Sequence, residues 1–155
     1  MSQLLRGDGH GHFTPVPPIE SGLLVPFDAR GLAVFDPDRD GWPDFFITRN
    51  NDQTLLFRNR GVAGRNSFAV ALRGSAGNPT AVGAQVTAVL GDGATQTSEI
   101  AAGSGYLSQS SASVFFGFPG ENSPREIRVR WPGGASSVHP WTSSSPRIVI
   151  AAPGL

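Results

Sequence analysis

The run Leu32-Ala-Val-Phe35, Asp36-Pro-Asp-Arg-Asp-Gly-Trp-Pro-Asp44, Phe45-Phe-Ile47 sets four carboxylates between two short apolar segments. Asp36, Asp38, Asp40 and Asp44 occupy the first, third, fifth and ninth places of a loop, with Gly41 directly after the third acid. Calcium takes six to eight oxygen ligands, and a glycine at that place permits the tight turn that aims the side chains inward. The Trp42 carbonyl falls where such loops use a backbone ligand. Two like charges 4 Å apart cost on the order of 4 kcal/mol at a surface-like dielectric. Four acids in one loop therefore call for a cation, solvent or arginine, and only Arg39 lies within it. The spacing predicts a calcium loop. A metal-free acidic turn would use the same Asp, Gly and Pro for backbone reasons alone. The twelfth place is Ile47, not the bidentate Glu of a helical calcium hand. The flanks are rich in β-branched and aromatic residues, so strands are expected over 31–36 and 44–49, with a third over 53–58 after the turn Asn50-Asn51-Asp52.

That meander is apolar on both sides. Alternation sets Leu32 and Val34 against Ala33 and Phe35, Phe45 and Ile47 against Phe46, and Leu55 and Phe57 against Leu56. A lone antiparallel sheet with one wet face alternates apolar with polar, whereas a sheet held between neighbours need not. A partner is therefore expected to cover one face, with Val34 and Phe46 at the contact. Towards the N-terminus, Gly7-Asp-Gly-His-Gly-His-Phe13 reads as a glycine turn entering a short strand at Phe13-Thr14. Pro15, Pro17 and Pro18 then exclude a central place in a sheet. His10 and His12 stand in that turn as solvated side chains or, less fittingly, metal ligands.

The 155 residues are 39% hydrophobic and 15% charged, which suits one domain or two small ones with a real core. Twelve basic residues, all arginine, balance twelve acids, so nothing electrostatic favours nucleic acid or an anionic membrane. No cysteine is present, which excludes disulfide and thiolate chemistry. No run is long enough for a membrane span, and Met1-Ser-Gln-Leu-Leu-Arg6 lacks the apolar core of a secretory signal. Twenty Gly and thirteen Pro punctuate a chain without helical periodicity, and the expected class is all-β.

Beyond a link at 61–66 the strands alternate more cleanly. Phe68, Val70 and Leu72 share a face, as do Val82 to Leu90 taken every second residue, then Val114, Phe116 and Phe118, and Ile127, Val129 and Trp131 against Glu126, Arg128 and Arg130. Thr95 to Glu99 is polar throughout and suits an exposed edge. Turns at 74–79, 91–93, 119–124 and 132–135 complete a β-sandwich or open barrel. Gly103-Ser-Gly-Tyr-Leu-Ser-Gln-Ser110 lacks the basic residue and helix of a phosphate loop and reads as a structural turn. Tyr106, Ser108, Gln109 and Ser110 are its candidates for a polar surface that meets a sugar or peptide. Ser104 is not in a nucleophile elbow, and His139, the one histidine downstream of it, is expected on a proline-flanked turn, so no catalytic triad is assigned.

Two family resemblances follow from these residues. Asp38-Arg-Asp-Gly-Trp-Pro-Asp-Phe-Phe-Ile-Thr-Arg-Asn50 followed by Leu55-Leu-Phe-Arg-Asn59 resembles an FG-GAP/VCBS repeat, a blade of a β-propeller. Asp8 to Thr14 resembles the tail of a preceding blade. Ala81-Val-Gly-Ala-Gln-Val86, Gly103 to Ser110, Phe116-Gly117 and Ile127-Arg-Val-Arg-Trp-Pro132 resemble the ASPIC/UnbV domain. The resemblance implies a preceding-repeat tail and linker over 1–18, a blade over 19–60 with calcium held by Asp36, Asp38, Asp40, Asp44 and the Trp42 carbonyl, and an ASPIC/UnbV-like domain over 61–155. The same order occurs in secreted cartilage-acidic-protein-like proteins and bacterial relatives, where the domain closes a longer propeller. What it implies of function is a non-enzymatic, calcium-stabilised module for binding or assembly, extracellular or periplasmic, and a piece of a longer propeller. Its partners would be a protein or glycan ligand, further blades or a second copy. The alternative is an accessory subunit of a bacterial biosynthetic or redox complex.

Overall fold

The computed structural model describes residues 3–142 and 145–155. In chain order the elements are β1 (Leu4–Gly7), β2 (Phe13–Val16), a single helical turn α1 (Pro18–Ser21), β3 (Ala29–Phe35), β4 (Asp44–Arg49), β5 (Asp52–Phe57), β6 (Arg65–Arg73), β7 (Gln85–Leu90), β8 (Thr95–Glu99), β9 (Ser113–Pro119), β10 (Pro124–Arg130), β11 (Ser136–Pro140) and β12 (Arg147–Ala151). The all-β expectation holds. Pro18 starts α1, where its missing N–H costs nothing, and Gly22 closes it in the left-handed conformation with its N–H on the Pro18 carbonyl.

The C-terminal half is two facing sheets, ordered β11-β10-β7-β8 and β12-β6-β9. Among the described residues no sheet closes on itself, so the arrangement is a sandwich and not a closed barrel. Phe68, Val70, Leu72, Val114, Phe116, Phe118 and Ile150 from one sheet meet Val86, Ala88, Leu90, Ile127 and Val129 from the other, all buried. Trp131 and Ile100 close the ends of this core. Trp131 keeps its indole N–H satisfied by donating to Ser137 Oγ at 2.9 Å. The polar strand β8 is the sheet edge that its composition predicts. His139 lies on strand β11, opposite Ile127, and not on the expected turn. The register of β10 with β11 carries the chain through Pro140, which ends the strand instead of breaking it.

The N-terminal half is the expected meander, order β3-β4-β5, beside a separate β1-β2 hairpin. Asn51 takes a positive φ of 52° in the β4–β5 turn. The register pairs Val34 with Phe45 and Phe45 with Phe57, but Ala33 with Phe46 and Phe46 with Leu56. Val34 and Phe46 therefore lie on opposite faces and cannot form one contact. The face of Leu32, Phe45 and Ile47 meets the N-terminal segment through Leu4, Leu23 and Val25, with Ile47 and Val25 buried. On the other face Phe46 is 42% exposed and Leu56 58%, with Phe35 edge-on to Phe46 at 6.1 Å.

Candidate metal centre and the seam beside it

The loop between β3 and β4 is curled by two successive left-handed positions, Arg39 at φ 60° and Gly41 at φ 83°. Asp36 holds the curl: its Oδ1 accepts the Asp40 N–H and its Oδ2 the Gly41 N–H, each at 3.1 Å. Asp40 Oδ1 accepts the Trp42 N–H at 2.9 Å. These bonds bring one carboxylate oxygen from each of Asp36, Asp38 and Asp40 within 4.8 Å of one another. Oxygens that share one calcium at 2.3–2.6 Å lie no more than about 5 Å apart, so this donor set fits the ion. Asp44 is not in the group. Strand β4 begins there, and its buried carboxylate accepts the Asn59 N–H at 2.7 Å, which pins β4 to the end of β5.

The arginine that answers the loop's charge is not Arg39. Arg58, just past β5, sets a guanidinium nitrogen 2.5 Å from Asp38 Oδ2 and 3.9 Å from Asp40 Oδ2. The side chain is 64% exposed, so the pair contributes little to stability. Sequence reading missed it because the partner comes from another strand, although the β-meander spacing that returns residue 58 beside residue 38 was legible.

Gly41 also fixes the loop to the sandwich. Its carbonyl accepts from Ser67 Oγ at 2.7 Å, and a Cβ added there would fall 2.6 Å from the Pro146 carbonyl oxygen. Only glycine meets both the backbone sign and this approach. Trp42 is half-buried and packs on Gly61, whose added Cβ would lie 3.0 Å from the indole.

The glycine-serine run 103–110 forms the second seam. Leu107 has φ 49°, and Gly105 bridges Ser108 across the turn. Ser110 Oγ accepts the Val34 N–H at 3.0 Å and the Ser111 N–H donates to the Val34 carbonyl at 2.9 Å, so the outer edge of β3 is capped by the sandwich domain. Ser108 packs near Gly31, with its hydroxyl buried. Gln109 turns back on its own loop, accepting the Gly103 N–H and donating to the Ser110 carbonyl. Of the four residues expected to present a polar surface, Tyr106, 71% exposed, and Gln109 are at the surface, while Ser108 and Ser110 are half-buried. Ser104 Oγ accepts the Ser110 N–H, while His139 meets Ser137, so each is engaged locally. In the N-terminal hairpin, Asp8 accepts the His10 and His12 N–H groups and pairs with His12 Nδ1 at 3.2 Å. The His10 N–H, first among these, holds the Asp8 carboxyl below its ordinary range.

The matching family model, described as ASPIC and UnbV, covers residues 74–151, from the turn after β6 to the end of β12. A search of curated proteins finds no match. The matched span holds both sheets of the sandwich except β6, together with the 103–110 seam, and the chain belongs to the ASPIC/UnbV family.

Proposed function

We propose that the chain is a non-enzymatic, calcium-stabilised β module for binding or assembly outside the cytoplasm, with its N-terminal meander serving as a propeller-type blade of the FG-GAP/VCBS kind. The observation that carries this reading is the convergence of Asp36, Asp38 and Asp40 in a loop that also bonds to the sandwich through Gly41 and Ser67. A bound calcium would offset two of the three carboxylate charges, with Arg58 beside the loop to answer the third. The Asp36, Asp38 and Asp40 side chains and the Trp42 carbonyl would hold it, with Asp44 anchoring the following strand. Because the same loop touches both halves, holding it still also holds the junction.

The open face around Phe46 and Leu56 supports a role in assembly: an apolar sheet face is covered by a further blade, a second copy or another protein. Three carboxylates without a bidentate Glu place the affinity in the range of extracellular modules, with dissociation constants of about 10⁻⁴ to 10⁻³ M. Binding to the folded state alone adds roughly 2.7 kcal/mol at a hundredfold excess over that constant. Millimolar calcium should therefore raise the melting temperature of the full chain, and Asp38→Ala combined with Asp40→Ala should remove the rise. Identical melting curves in calcium and in chelator would contradict the reading.

A further inference from the structure

A cleft of about 370 Å³ opens between the acidic loop and the sandwich, lined by Asp40 and Trp42 on one side and by Asn66, Ser67, Ser123 and Trp141 on the other. Its size falls in the range of about 300–1,000 Å³ found for small-ligand sites, and its position at the junction of two units is where such sites concentrate. We propose that this cleft binds a neutral saccharide.

The lining argues for that chemistry. Trp42 packs on Gly61, and Trp141 meets Phe68 at 4.6 Å and Phe118 at 6.3 Å, two rings that line the cleft with it, so packed neighbours fix both indoles at its border. A rigid aromatic wall suits the C–H face of a pyranose ring. Asn66, Ser67 and Ser123 supply short polar groups of both donor and acceptor type. Among the described residues neither lysine nor arginine lines it, which disfavours phosphate, nucleotide and acidic peptide. The one acid among its described lining residues, Asp40, already faces Arg58, which disfavours a cationic peptide. A polyol with a C–H face and many hydroxyls matches what remains.

Asp40 belongs both to the carboxylate group of the loop and to the cleft wall. This rests on the reading of the chain as a calcium-stabilised module, and it makes saccharide binding dependent on calcium through the ordering of Asp40 and Trp42. The test is calorimetric titration of the full chain with cellobiose, maltose, lactose and mannobiose, together with an immobilised panel of neutral glycans, in millimolar calcium and in chelator. Expected is saturable binding of at least one of them in calcium, weakened tenfold or more by Trp42→Ala and by the surface change Asn66→Ala, with Arg128→Ala as the unaffected control. Should Trp42→Ala unfold, Asn66→Ala decides alone.

No binding to any of these glycans while calcium still raises the melting temperature would overturn the saccharide inference and leave the module reading intact. Equal binding by wild type and Asn66→Ala would also overturn it, as would binding of an arginine-rich peptide in preference to every sugar. Binding that is the same in chelator and is lost in Asn66→Ala would uphold the cleft and overturn its coupling to calcium.

Discussion

Strands β4 and β9 both carry phenylalanine at alternate or adjacent positions, yet Phe116 is 3% exposed and Phe46 is 42% exposed. In the sandwich each strand's apolar side meets a second sheet, and its other side is wet or carries small residues such as Ala69. In the meander both sides are apolar, and only the side of Ile47 finds a cover, supplied by the N-terminal segment around Val25. Apolar content therefore does not decide burial: a layer buries what a neighbouring layer reaches. The sandwich carries its own second layer, whereas the meander borrows one and leaves a face open.

The sharpest way to break this contrast is to truncate the two phenylalanines. Phe68 is stacked on Phe116 at 5.3 Å and contacts Phe118 and Trp141, so Phe68→Ala should cost about 3–5 kcal/mol by denaturant titration. Phe46→Asp should leave the fold in place and change the association state by light scattering more than Arg128→Asp does. Equal losses of stability at both positions would show that the meander is as self-sufficient as the sandwich.

A smaller effect is expected where the two regions join. Gly41→Ala introduces a Cβ at positive φ against the Pro146 carbonyl, and should cost about 2 kcal/mol while shifting the amide signals of both β4 and β6. A change confined to the loop would mean that the junction does not transmit.

The smallest effect is at Arg58. Removing a guanidinium that sits on Asp38 should change stability without metal by less than ~1 kcal/mol, because the pair is exposed. It should tighten calcium binding severalfold, up to about tenfold or ~1.4 kcal/mol, by isothermal titration. Weaker binding in Arg58→Ala would show that the arginine supports the loop instead of competing with the cation.

The meander, its turn at Asn50-Asn51 and the alternating strands of the sandwich were legible because each is written in neighbouring residues: period two, bounded by Gly, Asn or Pro. The last strand was not. Strand β12 pairs in parallel with β6, Ile148 beside Val70, across a separation that no local turn announces. Alternation within a strand does not give the register between strands, and it is the pairing of Val34 with Phe45 that sets Val34 and Phe46 on opposite faces. At the loop, spacing identified Asp36, Asp38 and Asp40 as a group, but the ninth position could not be resolved that way. Whether Asp44 faces the loop or the sheet depends on Asn59, which arrives from the end of β5. Ser108 and Ser110 read as surface because serine-glycine runs usually are, and only the folded chain sets them against β3.

The most direct test of the claim that a cation orders the loop, and through it the meander's hold on the sandwich, is native-state hydrogen exchange of the full chain with calcium and with chelator. The Asp40, Gly41 and Trp42 amides and those of β3 and β4 should gain protection in calcium, while β7, β9 and β10 exchange at the same rates in both. No change at Asp40 to Trp42, or a uniform change across both sheets of the sandwich, would contradict it.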